Sequence, residues 1–469
     1  MGQMKNLIIA LFLLLSNTYA QNIQKDLIKN ICANLPKGTN YSIFIYDPME
    51  DDTLYSHQIN KPLIPASNIK LFTTAALINT LGDQYELETL LLTDDPDLND
   101  KVVNGNIYIR GTGDPSIGYE DIDSLVNRIK LAGISKVTGN IYADASIFDN
   151  LYTRDDWIVD EKANVVLPPV AGLVMNRNSI HLTLIKTKST GKVDYEVKPN
   201  YNFIKVTVNN QVRNKNHRFE STLKQSSSKI DIELRYNPNR NFNRKYFTEY
   251  VINPATFWGL VLKAELELKG ISIGGEVIEG KPKSDTYILQ SIVTPLTKIL
   301  NFTNKDSNNY FAECLFKLLG WTTSEDQGNS FYATQAVMQF LESINVDITD
   351  LEIVDGSGIS RFNRLTTSAI VSLLTEMYFD EKKFPLYLNS MAVGSTDGTL
   401  QKRFSNASYG KNFHGKTGTL NGVSSISGYL TTKSNKDLIV SILMEFNRNG
   451  ANYYRDIQDK ILEILIEKE

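Results

Sequence analysis

Cysteine and histidine are nearly absent from this chain, and so is any imbalance of charge. Its 469 residues contain two cysteines and four histidines, and the formal net charge is −4. With both signs of charge scattered along the sequence, there is no electrostatic case for binding nucleic acid. The histidines (His57, His181, His217, His414) are dispersed without metal-ligand spacing, so each is read as structural and no metal or cofactor is implied. His414 adjoins "GKTG", yet no neighbour in sequence pairs it with a carboxylate. Cys32 and Cys314 lie far apart. An oxidising compartment would permit a bridge, but the pair is read as two buried free thiols.

Long apolar runs are equally scarce. The one candidate is "MGQMKNLIIALFLLLSNTYAQ" at the start, where Lys5 precedes an apolar core over about Leu7–Leu15. Thr18 and Ala20 then occupy the −3 and −1 positions of a cleavage site before Gln21. The stretch is short for a bilayer span and has the plan of a secretory signal peptide, residues 1–20. No cysteine follows the cleavage site to carry a lipid. The expected product is exported and soluble, in a bacterial periplasm, with peripheral membrane association left open.

About 450 mature residues suggest two to three domains, and an apolar share of 42% is enough for real cores. Residues 21–85 read as helix, strand, strand and a helix starting near Ser67. From 86 to 177 the texture shifts to short strands such as "GNIYIRG" and "GNIYADA", with one helix near 119–132. The echo of "GNIY" is too short to make a repeat architecture. Residues 178–252 alternate almost throughout, as a small antiparallel module would. A helix over "PATFWGLVLKAELELKG" returns to the preceding texture, 253–285, and 286–469 combine helices, a hairpin and a final helix at 452–467. The simplest account is a discontinuous domain, 21–85 with 286–469, interrupted by about 200 inserted residues, which a surface loop tolerates because closure entropy grows slowly with length. The insert itself splits into 86–177 with 253–285 and a nested unit, 178–252. The terminal strands are expected to share one antiparallel sheet.

The chemistry concentrates in three short stretches. "PASNIKLFTTAA" places Ser67 and Lys70 three apart at a helix start; taken alone, Ser67 caps the helix and Lys70 is solvated. "KDSNNYF" supplies Ser307 and Asn309, and "HGKTGTLNG" supplies Lys416, Thr417, Gly418 and Thr419. Ser-x-x-Lys, Ser-x-Asn and Lys-Thr-Gly in that order are the motif set of penicillin-binding proteins and serine β-lactamases. Residues i and i+3 share a helix face, so Lys70 can reach the Ser67 hydroxyl. Burial, the helix N-terminus and a second cation, Lys416, would each lower the Lys70 pKa toward that of a usable base. Ser307 can relay a proton to a leaving amine, and Asn309 can hold Lys70 or a substrate amide. Gly418 would let substrate lie against the strand edge. The main-chain N–H groups of Ser67 and Thr419 form a natural oxyanion hole, and Lys416 with the Thr417 and Thr419 hydroxyls would hold a terminal carboxylate.

The three motifs, together with "DGSGISRFNRLT" (355–366), "GSTDGTLQKRF" (394–404), "RGTGDPS" (110–116), "DASIFD" (144–149) and "PPVAGLVMNRNSI" (168–180), resemble the D-alanyl-D-alanine carboxypeptidase/endopeptidase family of class C low-molecular-mass penicillin-binding proteins, peptidase family S13. The resemblance spans the mature chain. A phosphate loop is the rival reading of "RGTGDPS", but the Lys-Ser/Thr that should follow is missing. The family implies an α+β fold: a penicillin-binding, transpeptidase-like (β-lactamase-like) domain with an antiparallel sheet and a helical subdomain, plus inserted β-rich domains. It implies a serine hydrolase that removes the terminal D-alanine of peptidoglycan stem peptides, often cuts cross-links, and is acylated by β-lactam antibiotics. It further implies that Arg361 and Asp144 help hold the ionic end of the stem side chain. Asn308, the middle residue of Ser-x-Asn, stands at a position open to variation. Two other readings remain: a β-lactamase or esterase on the same fold, for which the long insertion has no use, and a catalytically silent cell-wall binding protein, which the intact motifs disfavour.

Overall fold

Strand Asn40–Asp47 pairs antiparallel with Asp437–Glu445, Ile43 facing Ile442, and this pairing joins the two ends of the chain in one sheet. In the computed structural model, which describes residues 25–97, 101–158, 166–187, 191–282, 285–324, 326–404 and 407–468, that sheet has six strands. Their order is Ala392–Val393, Phe413–Leu420, Val423–Thr431, Asp437–Glu445, Asn40–Asp47 and Asp52–His57, every neighbour antiparallel. The leader read at 1–20 lies outside the described residues.

Helices cover both faces of the sheet. Helix 25–33 and the last helix, Ala451–Lys468, place Ile28, Cys32, Tyr454 and Ile461 on one face with Ile43, Ile426 and Val440. The other face meets a largely helical cluster built around Ile69–Leu81. That helix is buried on every side from Ile69 to Ile78, as a central helix must be when it is apolar all round. Full burial of each of Leu71, Phe72, Leu77 and Ile78 contributes about 1.5–3 kcal/mol. Both cysteines are free and buried, Cys32 under the sheet and Cys314 in the helical cluster.

The inserted residues form sheets of their own. A five-stranded sheet runs Val277–Glu279, Ile141–Asp144, Ile107–Arg110, Glu86–Thr93, Tyr287–Pro295, with helices Tyr119–Leu131 and Pro254–Leu268 packed against it. Tyr287–Pro295, which the sequence division places in the flanking unit, hydrogen-bonds to Glu86–Thr93 and so extends the insert's sheet. The two "GNIY" stretches become adjacent parallel strands in register, Tyr108 beside Tyr142 with their rings stacked at 5.0 Å. Residues Ser179–Tyr250 make two three-stranded sheets. They are not wholly antiparallel: Ile204–Asn209 runs parallel to Ile230–Tyr236. Alternation reports that one face of a strand is buried, and this holds for either direction of pairing, so the sequence pattern could not reveal the parallel pair.

Candidate active site

Ser67 sits in a single 3-10 turn, Ala66–Asn68, that feeds helix Ile69–Leu81. Ala66 has φ 47, a left-handed conformation an alanine adopts only under constraint. The constraint comes from two glycines. A Cβ on Gly358 would lie 1.9 Å from the Ala66 carbonyl oxygen, and a Cβ on Gly418 would lie 2.7 Å from the Pro65 oxygen and 2.9 Å from the Ser67 nitrogen. Gly418 therefore lets the Ser67 turn close onto the sheet; the expected freedom for substrate along the strand is a separate matter. Ser67 does not cap the helix. The N-cap is Asn68, whose amide donates to Ser425 Oγ and which makes no capping bond.

Lys70, one turn along, is fully buried. Its Nζ lies 2.9 Å from Ser67 Oγ, 2.7 Å from Asn309 Oδ1 and 2.5 Å from the Ser357 carbonyl oxygen. Burial lowers its pKa to about 7, against the opposing pull of Asp355 and Glu313. The stereochemistry follows. A carbonyl oxygen can only accept, so a neutral amine gives its two hydrogens to Ser357 and Asn309 and turns its lone pair to the Ser67 hydroxyl. Of the two partners foreseen for Asn309, Lys70 is the one it contacts.

Ser307 precedes the second motif helix, Asn309–Thr323, and is itself left-handed, φ 54. Asn308 caps that helix, its side chain accepting from Phe311 N–H at 3.3 Å, which gives the middle residue of the motif a local task. Lys416, on strand Phe413–Leu420, is fully buried and donates to Ser307 Oγ and to the Thr417 carbonyl, both at 2.7 Å. Its pKa is pushed well down by burial and then by repulsion from Lys70; the help expected in the other direction does not appear, since Lys70 is brought down by burial with Lys416 absent from the groups that shift it.

Strand Phe413–Leu420 pairs on one side with Val423–Thr431, while on the other Ala392–Val393 reaches only Gly415 and His414. From Lys416 onward that edge opens on a cavity of about 830 Å³, lined by Ser67, Ser307, Asn309, Thr417, Thr419 and Arg455 among others. A free edge beside a nucleophile is a place where an extended peptide can add as a strand. Thr417 Oγ1 donates to Thr399 Oγ1 at 2.8 Å.

The two residues implied by resemblance are placed elsewhere. Asp144 ends the strand Ile141–Asp144 and accepts from the Ser146 N–H and hydroxyl. It lines a different cavity, about 980 Å³, with Arg110, Lys281 and Trp321. Arg361 donates to the Asn421 carbonyl at the rim of a smaller hollow, about 310 Å³, beside Asn40 and Glu445. Neither lines the Ser67 cavity.

Three residues escaped the motif reading. Asp355 opens the "DGSG" loop and accepts from Gly358 N–H, Ser360 N–H and Asn363 at 2.7, 2.7 and 2.9 Å. Glu313 is buried one turn past Asn309 on the same helix face; that i+4 spacing is the signal that could have flagged it. Arg455 donates to Thr419 Oγ1 at 2.8 Å from 36 residues away, with nothing local to announce it.

The profile of the D-Ala-D-Ala carboxypeptidase 3 (S13) family matches residues 24–468. The chain is 25% identical over 415 residues to the D-alanyl-D-alanine carboxypeptidase DacB of Haemophilus influenzae, covering 86% of this chain and 85% of that protein. It is 26% identical over 420 residues to the D-alanyl-D-alanine carboxypeptidase of Actinomadura sp. (strain R39), covering 84% and 76%. The crystal structure of penicillin binding protein 4 (dacB) from Haemophilus influenzae superposes with a TM-score of 0.78 at 21% identity, covering 94% of this chain and 99% of that one, a likeness of fold. The α+β architecture expected from the motifs is thus present, and with the profile spanning almost its whole length the chain belongs to the D-Ala-D-Ala carboxypeptidase 3 (S13) family.

Proposed function

We propose that this protein is a serine D-Ala-D-Ala carboxypeptidase of peptidoglycan stem peptides, working through an acyl-enzyme on Ser67. The observation that carries the reading is the pair of buried lysines, each bonded to a different serine: Lys70 to Ser67 and Lys416 to Ser307. Neutral Lys70 takes the Ser67 proton as Oγ attacks the carbonyl of the penultimate D-alanine. The Ser67 and Thr419 N–H groups receive the oxyanion. The proton held on Lys70 reaches the departing amine by way of the Ser307 hydroxyl, which gives up its own proton as it takes the other and is held by Lys416; D-alanine leaves, and water then hydrolyses the ester. Cleavage of peptide cross-links uses the same acyl donor with a larger leaving group.

β-Lactams enter the same path, as the names of the relatives suggest, because they present a strained amide to Ser67. Export through the leader at 1–20 is part of this reading, since the substrate lies outside the cytoplasm. So is the division into a Ser67-bearing unit (21–85 with 286–469, less the strand Tyr287–Pro295 that pairs with the insert), an insert (86–177 with 253–285) and a nested module (178–252). Incubating the protein with a stem pentapeptide and resolving products by mass tests the activity, with release of one D-alanine expected. Ser67→Ala should abolish both that release and covalent labelling by a fluorescent penicillin while the fold is kept. Labelling that survives in Ser67→Ala rules the assignment out.

A further inference from the structure

A carboxypeptidase must recognise the free carboxylate that makes its substrate terminal, and the buried lysine of the third motif is poorly placed to touch it. Lys416 has no exposed surface, does not line the cavity, and gives its Nζ hydrogens to Ser307 Oγ and the Thr417 carbonyl. The cavity wall facing the strand comes instead from the last helix, Ala451–Lys468, and carries Arg455. Arg455 is half-buried; its Nη2 donates to Thr419 Oγ1 at 2.8 Å and its Nη1 to Asn452 Oδ1 at 3.0 Å. No carboxylate pairs with it among the described residues.

The adjacent arginine differs. Arg403 spends Nε and Nη2 on Asp459, at 2.9 and 2.6 Å, and Arg455 feels the repulsion of that guanidinium more than the pull of its carboxylate. Lys402, the remaining cation of the wall, is exposed. A guanidinium that is unpaired, partly desolvated and already bonded to a threonine of the substrate edge has the fork geometry that a carboxylate accepts.

We propose that Arg455 is the cation that directly meets the substrate's terminal carboxylate, fixing it against the Thr417 and Thr419 hydroxyls, while Lys416 acts through Ser307. The inference rests on the carboxypeptidase reading and adds a specificity residue to it. Arg455 touches no atom that changes bonding, so its signature is discrimination between substrates and leaves the chemistry at Ser67 in place.

The experiment compares a pentapeptide with its C-terminal amide on wild-type protein, Arg455→Ala, Arg455→Lys and Lys402→Ala. Wild-type protein should prefer the acid. Arg455→Ala should lose about 10- to 100-fold in kcat/KM on the acid, the worth of a charge-assisted hydrogen bond, and little on the amide, so that the preference collapses. Arg455→Lys should keep part of it. A merely structural role would slow both substrates alike, and that result overturns the proposal. So does an acid preference that survives in Arg455→Ala, or one that is lost in Lys402→Ala instead. Turnover by the wild type in the same assay tests the underlying reading; wild-type protein that releases no D-alanine from the acid would remove that reading and the carboxylate role with it.

Discussion

Lys70 Nζ lies 2.9 Å from Ser67 Oγ with its other two hydrogen-bonding directions committed to the Ser357 carbonyl and Asn309. Such an amine works as a base only when neutral, and burial brings its pKa to about 7. The neutral fraction grows with pH, so the rate of acylation by penicillin should rise through about pH 7 and level off above it. A stopped-flow profile of second-order acylation rates checks this. Lys70→Arg, which stays charged throughout, should show neither the rise nor the plateau.

Glu313 and Asp355 lie close enough behind Lys70 to share one negative charge, with Arg154 and Lys317 as the other charged groups nearby. Asp355 accepts three hydrogen bonds and takes the charge. Glu313 Oε1 has no partner among the described residues, and burial followed by Asp355 raises its pKa from 4.5 to about 8. Between those two values the folded protein holds a proton that the unfolded chain has released, so this group's contribution to stability is lost as pH rises through that window. Glu313→Gln mimics the protonated acid and removes the slope. The difference in Tm, variant minus wild type, should therefore increase from about pH 5 to about pH 8, and a flat difference across a series of thermal melts would place the proton elsewhere.

Gly358 has φ +81 and faces the Ala66 carbonyl, where an added Cβ would stand at 1.9 Å. The displaced atoms would be backbone, and they hold the nucleophile. Gly358→Ala should cost about 1–3 kcal/mol of stability from the forced contact and slow acylation by about 10²-fold, the price of misplacing a reacting group by an ångström. The two effects are read by denaturant melts and by penicillin labelling at a temperature where the variant is folded. Near-normal labelling would mean that the turn yields without moving Ser67.

Much of this was legible before any coordinates. Ser67, Lys70, Ser307, Asn309 and Thr417 lie in motifs whose chemistry dictates their spacing, and the alternating texture of 178–252 announced its sheets. What stayed hidden depends on long-range closure. Left-handed Ala66 and Ser307 are ordinary residue types, and for Ala66 the reason shows only once the fold brings Gly358 and Gly418 against its turn. Arg455 reaches Thr419 because the last helix crosses the sheet there, a relation no local pattern encodes. Tyr287–Pro295 reads equally well as either unit's strand until its partner, Glu86–Thr93, is known.

Acylation and deacylation make different demands on this site. The first needs a base on Ser67, which Lys70 supplies. The second needs a water activated beside the ester, and among the described residues no carboxylate hydrogen-bonds Ser67. Of the two acids lining the cavity, Asp459 is held by Arg403 through a pair of bonds and Asp456 is exposed on the far helix. Deacylation then depends on room: D-alanine departs from a peptidyl enzyme and water can enter, whereas the opened ring of a penicillin stays tethered and occupies the space. The penicilloyl ester should outlast the peptidyl one by a wide margin. Intact-mass measurement after mixing with benzylpenicillin should show one lasting adduct, absent in Ser67→Ala, under conditions where pentapeptide turns over repeatedly. Prompt return of the unmodified mass with hydrolysed penicillin accumulating would mean that water reaches the ester despite the tether, and the protein would then be acting as a β-lactamase.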